Sequence, residues 1–165
     1  MADEGNRGTG YDTWSTTALL RAARDTYRRA IRQGLVEAGC DDMPRDGAYV
    51  VGGIARTGAP LSDLIAQMGV SKQTAGQLVD TLVARGYLDR SVDAGDRRRL
   101  TISLTERGEA AAAAVRAEGD RIDAEIVRRV GARSFAVTRA TLAALIGIDR
   151  DPDSHGRGER DGGVS

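Results

Sequence analysis

The side chains most able to do covalent chemistry are few in this sequence and poorly placed for it. The one histidine, His155, falls in a stretch of charge, glycine, proline and serine near the C-terminus. A multi-histidine metal site is therefore excluded, and a folded body upstream has no imidazole to act as general base. The one cysteine, Cys40, has no lysine or histidine beside it in sequence to activate it, and it has no second cysteine to pair with. That pattern predicts a structural thiol in a reducing compartment. Neither a glycine-rich phosphate loop nor a nucleophile elbow is present. The expectation is a chain that is not an enzyme and needs no metal and no cofactor.

Recognition chemistry, by contrast, is concentrated in two places. In the first, Ala75, Leu78, Val79, Leu82 and Val83 recur at i, i+3, i+4, i+7 and i+8, which is one face of a helix. Lys72, Gln73, Gly76, Gln77 and Asp80 then fall on the opposite face, with Ser71 and Thr74 at its start. A helix lying in a DNA major groove presents its N-terminal half to base edges, and a glutamine can bond bidentately to adenine. Gly76 costs roughly 1 kcal/mol against alanine in a helix interior; a bare backbone there would allow close approach to a duplex. The second place is arginine-rich. Arg97, Arg98 and Arg99 stand together, with Arg90 a little upstream, and residues 85–99 hold five arginines against three aspartates. Arginines on a loop can enter a minor groove. Asp93 and Asp96 could instead hold some of them in an intramolecular network, and both roles can coexist. Either element alone also has a plainer reading, a solvated polar helix face or a charged loop.

The elements needed to position these groups can be read from periodicity. Ser15 or Thr16 can cap a first helix carrying Leu20, Ala23, Tyr27, Ala30, Ile31 and Leu35, ending near Gly39 and Cys40. Pro44 suits the first turn of a second helix with Val50, Val51, Ile54 and Ala55. A short third helix bears Leu61, Leu64, Ile65 and Met68 and stops at Gly69; Ser71 caps the fourth after a three-residue turn. These two helices make a helix-turn-helix unit. Leu100, Ile102 and Leu104 then alternate with Thr101 and Ser103, the two-residue repeat of a strand that can pair with residues 87–92 across the turn at residues 93–96. Thr105 can cap a long fifth helix with Val115, Ile122, Ile126 and Val130. A sixth, over residues 135–148, carries Phe135, Leu142, Leu145 and Ile146. The expected fold is mainly α with a small β-hairpin wing: a winged helix-turn-helix of six helices.

Bulk properties set the remaining bounds. The 165 residues suffice for one domain, and 24 basic residues balance 24 acidic ones. A chain that coats nucleic acid without specificity would be strongly basic, so any duplex binding must use locally placed charge. No apolar run approaches a membrane span and no leader-like segment begins the chain, so a cytoplasmic location without a membrane partner is expected. Residues 1–14 and 149–165 read as disordered tails around one domain. Within it, residues 44–108 form the wing-bearing lobe, and residues 15–43 and 109–148 the remaining helices.

Residues 61–108, LSDLIAQMGVSKQTAGQLVDTLVARGYLDRSVDAGDRRRLTISLTERG, resemble the winged helix-turn-helix of the MarR family (multiple antibiotic resistance regulators). The markers are Leu-Val-Asp-x-Leu at 78–82, Arg-Gly-Tyr-Leu-x-Arg at 85–90, Asp-x-x-Asp-Arg-Arg at 93–98 and Leu-Thr-x-x-Gly at 104–108. The resemblance implies a sequence-specific transcriptional regulator, a repressor, binding double-stranded DNA at a pseudo-palindromic operator as an intertwined homodimer. Helices one, five and six would supply the dimer contacts. Apolar stripes on three helices outside a lobe of about 60 residues support such a partner independently. Ser71, Lys72, Gln73, Thr74, Gly76 and Gln77 take the recognition-helix role, and Arg90, Arg97, Arg98 and Arg99 the wing role. Many relatives carry a basic residue where Gln77 stands, so an operator preference does not carry over.

The same resemblance implies release by a small aromatic or anionic effector bound between the dimer helices and the reading head, with Arg24, Tyr27, Tyr49 and Arg56 as candidate wall residues. Packing is the competing role for both tyrosines. Some relatives sense peroxide through a cysteine near the start of the first helix, whereas Cys40 follows that helix's end; burial without redox function is expected. The alternative function is a winged-helix protein-interaction or scaffolding module that reads no DNA sequence.

Overall fold

The structure, a computed structural model, describes residues 10–57, 61–92 and 100–148. The chain runs α1 (Thr16–Glu37), α2 (Gly47–Thr57), α3 (Leu61–Met68), α4 (Lys72–Ala84), β1 (Leu88–Val92), β2 (Leu100–Leu104), α5 (Glu106–Val130) and α6 (Ala132–Ile148). The described residues are mainly helical with one antiparallel two-stranded hairpin, as the periodicity predicts. These residues divide into two compact units, one ending at Ile122 and the other beginning at Asp123.

Local chemistry explains most boundaries. Ser15 caps α1, accepting a hydrogen bond from the Ala18 amide at 3.3 Å. Gly39, at φ +71°, ends it in the left-handed conformation that glycine adopts without strain. Pro44, expected inside the first turn of α2, instead precedes it: its carbonyl accepts from the Gly47 amide at 2.9 Å, and the helix begins at Gly47. The reason is space. A Cβ at position 47 would lie 2.7 Å from the Met43 sulfur and 2.9 Å from the Leu82 Cδ2, so the helix can start this close to its neighbours only on a glycine. Residues 10–14, expected in a disordered tail, form a turn in which the Tyr11 and Trp14 rings meet edge to face with centroids 5.0 Å apart. The rest of that tail, residues 93–99 with the turn expected at 93–96, and the tail expected at 149–165 lie outside the described residues.

The core of the first unit is built from Leu35, Cys40, Met43, Val50, Val51, Val79, Leu82, Tyr87, Leu88, Ala111 and Ala112. Small residues let helices approach: a Cβ on Gly34 of α1 would stand 2.6 Å from the Glu118 side chain of α5, and one on Gly52 of α2 would stand 3.1 Å from Val115. The second unit holds the end of α5 and all of α6. There Glu125 pairs with both Arg128 and Arg129 at 2.6 Å, and Arg139 reaches Asp123 at 3.5 Å. No residue of α6 is buried, and Val137, Leu142, Leu145 and Ile146 are all exposed.

Candidate nucleic-acid interface

Within the helix-turn-helix, α3 and α4 are joined at Gly69, whose φ of +63° reverses the chain. Ser71 then caps α4, its hydroxyl accepting from the Thr74 amide at 3.1 Å and lying 2.9 Å from the Thr74 hydroxyl. Two of the sequence-predicted recognition residues, Ser71 and Thr74, are thus also the cap that starts the helix. Ala75, Val79 and Leu82 are buried, with Leu78 and Val83 packed against the core. Lys72, Gln73, Gly76 and Gln77 are exposed. An added Cβ at Gly76 would meet nothing within 4 Å. Nothing in the described chain requires glycine there, although a mid-helix glycine weakens the helix.

Hairpin register decides what Arg90 does. Leu88 pairs with Leu104 and Arg90 with Ile102, so residues 88 and 90 share the hairpin face that carries Ile102 and Leu104. That face packs on the core: Leu88 is buried, and Ile102 and Leu104 lie against the core cluster. Arg90 on the same face reaches α4, where its guanidinium binds the Asp80 carboxylate. Arg90 therefore ties wing to recognition helix while remaining partly exposed. The sequence offered Asp93 and Asp96 as partners for the wing arginines; for Arg90 the partner is Asp80. Arg97, Arg98 and Arg99 lie outside the described residues.

The predicted effector residues occupy two helices. Arg24 and half-buried Tyr27 stand on α1, and Tyr49 and Arg56, both exposed, on α2. An open groove of about 620 Å³ on α1 is lined by Trp14, Thr17, Ala18, Arg21, Ala22 and Asp25, none of them among those four. Cys40 is 1% exposed, its thiol 3.6 Å from the Ala38 carbonyl. Among the described residues no group of three or more His, Cys, Asp or Glu could hold a metal, and no helix is long and apolar enough to cross a membrane.

One polar cluster escapes sequence reasoning altogether. The buried Tyr87 donates its hydroxyl proton to the Asp42 carboxylate at 2.5 Å, and Arg107 donates to the same carboxylate at 2.8 Å. The Arg107 guanidinium also lies 4.4 Å from the centre of the Tyr87 ring and donates to the Arg85 carbonyl at 2.6 Å. The hydrogen bond from Tyr87, with Arg107 nearby, holds the Asp42 carboxyl below the usual carboxylate range. Burial and donation to Asp42 push the Tyr87 phenol well above its ordinary value. Arg85 and Tyr87 sit in the recognisable Arg-Gly-Tyr segment, but nothing local marks Asp42 or Arg107 as their partners.

Comparison with known proteins places this geometry. Residues 41–99 match the sequence model of the MarR family. No curated protein sequence matches the chain. The fold is similar to that of the S. aureus MepR–DNA complex, at 19% identity and a TM-score of 0.64, over 82% of this chain and 97% of that one. It is also similar to the transcription regulator MarR from Oenococcus oeni PSU-1, at 15% identity and 0.62, over 80% and 98%. CouR from Rhodococcus jostii RHA1, solved bound to p-coumaroyl-CoA, is similar at 24% identity and 0.61, over 86% and 96%. From sequence, residues 41–99 carry the pattern of the MarR family, and the described helix-turn-helix, paired wing strands and core have the fold of these regulators.

Proposed function

We propose that the protein is a sequence-specific DNA-binding transcriptional regulator, acting as a repressor on a pseudo-palindromic operator. The observation that carries this reading is α4. One face is locked into the core by Ala75, Val79 and Leu82, while Lys72, Gln73, Gly76 and Gln77 stand exposed on a capped helix that follows a tight turn. Such a face offers amide donors and acceptors at the depth a major groove requires. Ser71 and Thr74 start the helix, and Arg90, Arg97, Arg98 and Arg99 supply wing charge to the phosphates and the minor groove. With equal numbers of acidic and basic residues, affinity rests on these few contacts per lobe. DNA binding would place the protein in the cytoplasm, acting without catalysis.

The working unit in this reading is a homodimer. A 17-residue helix with no buried residue and five exposed large aliphatics needs an apolar partner, and a second copy offers the same surface. An aromatic or anionic effector would release DNA by preferring the dimer arrangement that cannot bind it. The aromatic, anionic thioester bound by CouR is of that chemical kind, and Arg24, Tyr27, Tyr49 and Arg56 remain the proposed wall.

Selection of bound fragments from a random duplex pool tests the reading directly. Recovery of an inverted repeat is expected. Replacing Arg97 and Arg98 with alanine should then weaken binding and lower the slope of log affinity against log salt by about 2 per protomer, leaving the dimer intact. An unenriched pool, or unchanged affinity in the double variant, would sink the DNA-reading model.

A further inference from the structure

We propose that Asp42, Tyr87 and Arg107 form a joint that sets the angle of the recognition helix, making Arg107 a positioning residue for duplex reading that does not itself need to reach DNA. The inference rests on the DNA-reading function proposed above and names a device that serves it.

The joint gathers four pieces of backbone. Arg85, which caps the C-terminus of α4, is held at both ends: its carbonyl accepts from Arg107 Nη1 at 2.6 Å, and its guanidinium donates to the Asp42 carbonyl. Tyr87, just before β1, shares the Asp42 carboxylate with Arg107. Arg107 Nη2 also lies 3.4 Å from the Gly39 carbonyl in the turn that follows α1. Thr105, just before α5, donates its hydroxyl to the Gly86 carbonyl at 2.5 Å and its amide to the Tyr87 carbonyl at 3.2 Å. The end of α4, the start of β1, the first turn of α5 and the loop after α1 are thereby fastened at one point.

The location gives this point leverage. At 1.5 Å per residue, the start of the 13-residue α4 lies about 18 Å from its end. A swing of about 10° at the joint would carry the reading residues about 3 Å, as far as a hydrogen bond is long. Ala75, Val79 and Leu82 hold α4 to the core, but apolar contact is non-directional and tolerates small pivots. The fork of Arg107, fixed by a carboxylate, two carbonyls and a ring face, is directional. It therefore restricts the pivot that the apolar contacts leave open. Because the loop after α1 and the first turn of α5 bear the remaining contacts of the joint, a shift of either segment would reach α4 through the same groups.

The test uses Arg107→Gln, and Tyr87→Phe as a milder variant that keeps the ring and removes one hydrogen bond. Affinity is measured for a duplex selected by the wild-type protein and for a scrambled one, and backbone amide exchange is followed in the free proteins. The joint predicts at least a tenfold loss on the selected duplex and less than twofold on the scrambled one. It also predicts faster exchange over residues 72–92 with unchanged exchange over residues 123–148. Equal losses on both duplexes, or exchange accelerated evenly along the chain, would mean that Arg107 only stabilises the fold and would overturn the proposal. Should the wild type bind no duplex, the regulator reading fails on its own. The exchange pattern then still decides the joint, with local acceleration supporting it and none refuting it.

Discussion

Gly108 lies so close to the Tyr87 backbone that a Cβ at position 108 would come 2.1 Å from the Tyr87 carbonyl oxygen. This contact seats the first turn of α5 on the strand entering the wing, and backbone cannot move aside as a flexible side chain can. Gly108→Ala should therefore destabilise the protein by about 1–3 kcal/mol, the usual cost of overpacking a tight site. A urea midpoint equal to that of the wild type would show that the two segments are not so closely apposed.

Gly76 should behave in the opposite way. Its Cβ position is open, so Gly76→Ala should raise stability by up to about 1 kcal/mol through helix propensity alone. The same methyl would stand on the face proposed to approach DNA, so affinity for the selected duplex should fall. Thermal melts and a binding titration on one sample check both halves, and a variant that is more stable and binds equally well would remove Gly76 from the interface.

The Asp80–Arg90 pair yields a prediction about electrostatics. Both side chains are substantially exposed, so Asp80→Asn should change stability by less than about 1 kcal/mol. It removes a negative charge beside the reading face and frees a guanidinium for phosphate. General duplex affinity should rise and its salt slope steepen by about 1 per protomer, while discrimination between selected and scrambled duplexes narrows. An unaltered slope would show that Arg90 stays out of reach of the backbone.

Acid sensitivity should trace to two carboxylates. Asp42 and Glu125 both titrate below their ordinary values, Asp42 chiefly through the hydrogen bond from Tyr87 and Glu125, at about 2, chiefly through those from Arg128 and Arg129. The unfolded chain therefore takes up these protons at higher pH than the folded one does. Their contribution is complete above pH values near 4.5 and disappears as the pH falls toward 2. Asp42→Asn and Glu125→Gln should be less stable than the wild type at pH 7 and converge with it in acid. Parallel curves down to pH 2 would contradict the assignment.

Much of this architecture is legible in local sequence. The 3.6-residue stripe on α4, the turn glycine at 69, the cap at Ser71 and the alternation at Leu100, Ile102 and Leu104 each follow from geometry spanning a few residues. Even the exposed reading face needs no tertiary information, because the buried stripe defines its complement. Where local reasoning missed, at the turn of residues 10–14 and at the start of α2, the deciding contacts were one ring meeting another edge to face and a glycine wedged between Met43 and Leu82.

The partners of the charged groups were a different matter. Arg90 could be assigned to the wing from its place in the motif, but its pairing with Asp80 depended on hairpin register and on which face packs against α4. Asp42, Tyr87 and Arg107 are separated by tens of residues, and no period or spacing relates them. Sequence by itself determined the elements, the resemblance of residues 61–108 to the MarR pattern and the polar face of the recognition helix, since each reflects short-range backbone geometry and apolar burial. Only the tertiary structure decided how that helix is held. A carboxylate and a guanidinium become partners when packing brings their segments together, and their directional bonds form only after the core has set the distance between them.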